Sequence, residues 1–127
     1  MSEQLETIEL NLIAKKQYKN ESVYIKYEAI VENNVIGDCY IYLGNDELYR
    51  FGNLGYGIES EYQNRGYGTK LCRMLLDELH KNGLSEAVVV VEDTNIYSKA
   101  IVKKLHGHTK AKIINDGKKY TIYIIKL

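Results

Sequence analysis

The stretch Gln63-Asn64-Arg65-Gly66-Tyr67-Gly68-Thr69 decides the fold, because two closely spaced glycines join a strand-like pattern to a helix-like one. A glycine pair at such a turn lets successive N–H groups converge on one point, and the helix N-terminus adds partial positive charge there. This is the physics of a phosphate cradle. Arg65 can add a charge-assisted hydrogen bond to a phosphate oxygen. A P-loop needs Lys followed by Ser or Thr after its second glycine, whereas Thr69-Lys70 has the reverse order. A dinucleotide-binding turn needs a third glycine and follows the first strand of its fold; this turn lacks that glycine and follows a fourth strand. Both are set aside. A glycine turn with no ligand stands beside the cradle as the plainer reading.

Downstream of this turn, Leu71, Met74, Leu75 and Leu79 recur on one face of a helix expected over Thr69–Asn82. Gly83 suits the left-handed residue that ends it. Ala87–Val91 is an unbroken apolar run, expected as a strand buried on both faces. A short helix over Tyr97–Leu105 follows. Ala111–Asn115 and Tyr120–Leu127 then form a hairpin about Asp116-Gly117. Upstream, Ile8, Leu10 and Leu12 alternate with polar residues as a half-buried strand does. Further strands are expected at Val23–Val31, Val35–Leu43 and Leu48–Glu59, the last holding Gly52, Gly55 and Gly57. Glycines inside a strand predict a bulge or a close approach to the backbone. Residues 14–22 are polar and too short for much structure. The expected fold class is α/β (α+β), a mixed, mostly antiparallel twisted sheet of about seven strands with a central helix.

Composition bounds the function. The 127 residues suit one domain, 1–127, and carry 17 basic against 17 acidic residues. That balance argues against nucleic acid as a partner. No apolar run is long enough to cross a membrane, and the opening Met-Ser-Glu-Gln-Leu-Glu lacks the features of a leader. Cys39 and Cys72 are too few for a disulfide framework, and both read as small core residues. A cytoplasmic protein is expected. His106 and His108 lack a third ligand nearby, so no metal site is expected.

Gln63-x-x-Gly66-x-Gly68, in this position between strand and helix, resembles the acetyl-CoA fingerprint of the GNAT superfamily of N-acetyltransferases. Gly55-Tyr56-Gly57-Ile58 with Glu61-Tyr62 is similar to the family's fourth strand and the approach to its pyrophosphate loop. Asn95-Ile96-Tyr97-Ser98 is similar to the segment that closes its fifth strand, and the likeness covers about residues 23–127. The resemblance implies acetyl-CoA as co-substrate, with no metal, and transfer of acetyl to a primary amine of a small molecule or peptide. The other reading is an acyl-CoA binding or sensing module with little or no catalysis.

Residue by residue, the resemblance implies cofactor contacts at Ile58, Glu59, Ser60, Gln63, Asn64, Arg65, Gly66, Tyr67, Gly68, Thr69, Asn95 and Ser98. It implies an oxyanion donor in the backbone at Gly57 and Ile58. The tyrosine that many members place seven residues after the Asn, as the acid for the leaving thiolate, is here Val102. Glu92 is open to two readings, a base acting through water or a solvated strand-end charge. The family's two helices between its first strands have no room in residues 14–22. An open acceptor side is therefore expected, walled by residues 14–22 or by a second subunit of a homodimer. Tyr120–Leu127 is expected as a further contact, being an edge in need of cover.

Overall fold

The computed structural model describes residues 6–127; of the opening read above for a leader, residues 1–5 lie outside the described residues. Along these the elements are β1 (Glu9–Gln17), β2 (Val23–Val31), β3 (Asn34–Leu43), α1 (Leu48–Phe51), β4 (Leu54–Ile58), α2 (Tyr67–Lys81), β5 (Glu86–Glu92), α3 (Ile96–Lys104), β6 (His108–Asn115) and β7 (Lys118–Lys126). A single 3-10 turn, Ser60–Tyr62, precedes α2. The strands form two sheets, β1-β2-β3-β4 and β5-β7-β6. Every pairing within them is antiparallel. This is the expected mixed α+β architecture.

Strand alternation and helix periodicity meet in one core. Leu71, Cys72, Leu75 and Leu79 of α2 are wholly buried, as the 3.6-residue period requires. They pack in one cluster with Ala29, Cys39, Ile41 and Leu54 from the first sheet and Ala87, Val89 and Val91 from the second. Each such leucine contributes on the order of 2 kcal/mol by burial. On the other face, Tyr24, Tyr40 and Tyr42 project from β2 and β3, while Val88, Ile122 and Ile124 form a smaller cluster with Leu48 of α1. β1 and β2 are joined by a tight turn in which Tyr18 N–H donates to Ser22 O at 2.9 Å. No helix intervenes, so nothing helical roofs the outer face of the first sheet there.

Three expectations change. Residues 14–17 are strand, because β2 offers a free edge and Ala14, Lys15, Lys16 and Gln17 pair with Lys26, Ile25, Tyr24 and Val23. As an exposed edge they need no apolar side chains, and a bulge between Leu12 and Ala14 leaves Leu12 57% exposed. Leu48–Phe51 is a helical turn, so strand begins only at Leu54. Glu47 at φ 60° and Gly52 at φ 75° bracket it. A Cβ on Gly52 would lie 2.8 Å from Val88 O, so it is protein backbone, not a ligand, that approaches this glycine. Finally, β7 lies between β5 and β6 with both edges filled. The segment Tyr120–Leu127 therefore leaves no edge for a second subunit.

Candidate active site

β4 and β5 touch at one end and part at the other. Asn53, 4% exposed, makes the joint. Its N–H donates to Val88 O at 2.7 Å and its Oδ1 accepts from Val88 N–H at 2.8 Å. On its other side, its O accepts from Tyr42 N–H and its Nδ2 donates to Tyr42 O. Beyond it the two strands belong to different sheets, and no ladder joins them. The result is a V with its vertex at Asn53.

Register decides which backbone groups face into this V. In an antiparallel pair, alternate residues turn both N–H and C=O to the partner. Tyr42 N–H donates to Asn53 O and Glu59 N–H donates to Ile36 O, so Gly55 and Gly57 share the phase that bonds β3. Tyr56 and Ile58 turn their N–H groups away from β3, toward the gap. Across it, Asp93 N–H bonds Lys119 O and Leu127 N–H bonds Ser85 O, which leaves Val90 and Glu92 turned to the gap by the same alternation. The oxyanion donor expected at Gly57 and Ile58 is therefore corrected. Gly57 N–H is committed to β3, and the free donors are Ile58 and Tyr56. Gly57 contributes space instead: a Cβ there would meet nothing closer than Asp38 Oδ1 at 3.5 Å.

The glycine turn lies at the mouth of the V. Gln63 Nε2 donates to Ile58 O at 2.8 Å, tying the loop to β4. Asn64 at φ 60° and Gly66 at φ 92° reverse the chain into α2. Gly66 is the N-cap, no side chain caps it, and the first turn holds no acidic residue. The N–H groups of Tyr67 and Thr69 are left for an anion. Arg65 is exposed, its guanidinium stacked 5.4 Å from the Tyr62 ring and 5.3 Å from the Tyr67 ring. Tyr67, 2% exposed, is a core side chain, so only its backbone can reach a cofactor. Gly68 is buried, and a Cβ on it would overlap the Tyr97 hydroxyl of α3. It is thus the contact between two helices as well as part of the turn. Glu59 and Ser60 face elsewhere, lining an outer groove with Gly57, Asp38 and Lys26.

Asn95 caps α3, accepting from Ser98 N–H at 3.0 Å. Ser98 is 9% exposed, and Val102 is fully buried and offers no proton. What the sequence reading missed is Tyr56. Among the described residues its buried hydroxyl forms no hydrogen bond; Cys72, Ser98 and Tyr97 lie around it, Ser98 being the nearest candidate partner. Burial, above all, holds this phenol far above its usual pKa. The signal available in the sequence was its place between Gly55 and Gly57. Cys39 and Cys72 are buried, and burial pushes each thiol up to about 12, which keeps them inert. At the end of β5, Asp93 accepts from Thr121 Oγ1 at 2.6 Å and pairs with Lys99 at 3.3 Å. The Thr121 hydrogen bond, first, holds its carboxyl below the usual range. Glu92 is half-buried and, by alternation, shares the outer face of β5 with Val88 and Val90. Among the described residues, no group of His, Cys, Asp and Glu is placed to hold a metal ion.

A slot with free backbone N–H groups along one wall, an orphaned hydroxyl beside it and a positively polarised turn at its mouth fits acetyl-CoA. The strand edge suits amide groups of an extended arm, and the turn suits its diphosphate. No curated protein matches the chain. Solved structures do. The ribosomal-protein-S5-alanine acetyltransferase of Vibrio fischeri superposes with TM-score 0.69 at 15% identity, over 81% of this chain and 61% of that one. For yncA of Salmonella typhimurium, solved with acetyl-CoA, the values are 0.67, 20%, 82% and 65%. For the IAA acetyltransferase of Bacillus cereus they are 0.65, 17%, 82% and 78%. The chain thus spans under two thirds of the first two, and the likeness is one of fold. The sequence model of the acetyltransferase (GNAT) domain matches residues 2–108. With most of its length matched and the fold in agreement, this chain belongs to the GNAT acetyltransferase family.

Proposed function

We propose that this protein transfers the acetyl group of acetyl-CoA to a primary amine. The observation that carries the reading is the pair of free N–H groups, Tyr56 and Ile58, on the open edge of β4, beside the uncapped turn at Gly66. In the reaction, the amine nitrogen bonds to the thioester carbon, the C–S bond breaks, and the amine loses one proton while the thiolate gains one. The residues then have distinct tasks. The turn Gly66–Thr69 and Arg65 hold the diphosphate, and Gln63 fixes that loop to β4. Tyr56 or Ile58 N–H stabilises charge on the carbonyl oxygen. Gly57 leaves the outer face of β4 bare, so the amine can approach there. Glu92, on the same outer face at the end of β5, takes the amine proton through water. Asn95 holds the start of α3, and through it Ser98, at the inner side of the slot.

A second reading, an acyl-CoA binding or sensing module, is favoured by Val102, which puts a buried methyl pair where many relatives carry an acid. One experiment separates them. The protein is heated with acetyl-CoA, CoA, ATP and NAD, and free thiol is then followed with acetyl-CoA and a panel of amines. The proposed transferase is stabilised by acetyl-CoA and CoA above the others and releases thiol with at least one amine. Stabilisation with no release for any amine supports the binding module, and equal stabilisation by ATP or NAD removes both. We also keep as proposals a cytoplasmic location and a homodimer, the latter tested by sedimentation at micromolar concentration.

A further inference from the structure

A cavity of about 820 Å³ on the outer face is lined by residues that include Tyr18, Tyr24, Tyr40, Tyr42, Asp46 and Phe51. Its floor is the outer face of β2 and β3, where Tyr24 and Tyr40 lie with ring centroids 5.3 Å apart. Its walls are the β1–β2 turn and the loop before α1, and Asn20 Nδ2 donates to Asp46 across them. Tyr18, Asn20 and Ser22 supply one of these walls.

Most polar groups of this cavity accept, the Tyr18 and Tyr24 hydroxyls being able to donate as well. Tyr40 Oη spends its proton on Phe51 O at 2.7 Å, and Tyr42 Oη spends its own on Asp46 O. Ser22 Oγ donates to Asn20 Oδ1 at 2.6 Å. These three oxygens can then only accept. The carboxylates of Asp46 and Glu47 also accept, and among the described residues no Lys, Arg or His lines the cavity. Glu47 is balanced by Arg50 at 3.6 Å, which leaves Asp46 as the uncompensated charge. Aromatic faces, inward-spent donors and a carboxylate together complement a positively charged, hydrogen-donating ligand with an apolar body. Two of the cavity's rings already face a cation of the chain itself, Lys16 Nζ at 5.0 Å from the Tyr18 centroid and the Arg50 guanidinium at 5.3 Å from that of Phe51, so Tyr24 and Tyr40 are the rings left to a ligand.

The cavity also leads to the reaction centre. Tyr24 and Tyr40 line a second groove with Gly55 and Gly57, where Lys26 is paired with Asp38 at 3.8 Å, and the Tyr40 ring lies so close over Gly55 that a Cβ there would overlap it. We infer that this cavity binds an organic cation, an ammonium group on a small apolar body. Where the proposed transfer holds, on which this second step rests, that cation is part of the acceptor, anchored here while its reacting amine lies over Gly57.

The test uses choline and its uncharged isostere 3,3-dimethylbutan-1-ol, titrated into the full chain and followed through the tyrosine ring resonances. Acetyl-CoA binding is measured separately. Choline is expected to bind at least about tenfold tighter than the alcohol, and Asp46→Asn and Tyr24→Leu each to weaken choline about fivefold or more. Both sites are at or near the surface, and Asp46→Asn keeps the loop's shape, so a folding failure in one variant leaves the other to decide. Equal binding of the two probes, or choline binding unchanged in both variants, overturns the inference. Acetyl-CoA binding without any choline binding overturns it too and leaves the transferase standing. Choline binding without acetyl-CoA binding upholds the cation site and removes its role in acetyl transfer.

Discussion

At Asn53 the strands β4 and β5 are locked by backbone and side chain alike; by Ile58 no hydrogen bond joins them. The closed end is built from a residue whose side chain imitates a peptide on both sides, satisfying Val88 N–H and Tyr42 O at once. The open end leaves N–H groups of Tyr56 and Ile58 unspent, beside a tyrosine hydroxyl that is buried and unspent as well. Unpaired buried polar groups cost free energy. The fold satisfies such groups completely at one end and presents free donors at the other. The strand register turns donors to the gap at Tyr56 and Ile58, while on the opposite face Gly57 leaves space and the Tyr40 ring covers Gly55.

Four changes break or sharpen this contrast. Asn53→Ala attacks the closed end, leaving Val88 N–H and Tyr42 O buried without partners. The expected loss is about 2–4 kcal/mol in urea unfolding, and acetyl-CoA binding weakens with it as the V loses its hinge. Gly66→Asp attacks the open end only. A carboxylate at the mouth opposes the diphosphate, and acetyl-CoA affinity should drop by on the order of 2 kcal/mol by calorimetric titration. Intact affinity in a folded Gly66→Asp protein would place the cofactor elsewhere. Gly68 is the poorer target, since any side chain there meets Tyr97 and Ile101.

Tyr56→Phe removes a hydroxyl that has no partner. The free protein should become more stable, by about 1 kcal/mol, while the melting-temperature gain from acetyl-CoA shrinks. An equal gain in wild type and variant would mean that the cofactor never reaches this hydroxyl. Asn95→Ala has the smallest effect. Loss of its bond to Ser98 N–H costs about 1 kcal/mol, and the KM for acetyl-CoA rises more than that for the amine if Asn95 stands on the cofactor side. Stability lost with unchanged kinetics would reduce it to a cap.

Much of this was legible in the chain. The period of α2, the apolar run of β5, the Asp116-Gly117 hairpin and the glycine turn at Gly66 each carry a local signal, and each element stands where expected. The misses have one cause: they depend on a partner. Residues 14–17 look like loop until the free edge of β2 is known. Leu48–Phe51 alternates well enough for a strand, but it is a helical turn between the positive-φ residues Glu47 and Gly52, the latter close against Val88. The phase of β4, which assigns the free N–H to Tyr56 and withdraws it from Gly57, is a property of pairing with β3. Tyr56 itself reads as one more strand tyrosine until its hydroxyl is found alone.

The claim at the centre is that acetyl-CoA lies in the V, along the inner edge of β4. Backbone amide resonances of the labelled protein, followed during titration with acetyl-CoA, test it most directly. The account predicts large shifts at Tyr56, Ile58, Gly66, Tyr67 and Thr69, little change at Gly57, and none at the β6–β7 turn around Gly117. Shifts that miss β4 and cluster elsewhere, or larger movement at Gly57 than at Tyr56 and Ile58, would contradict it.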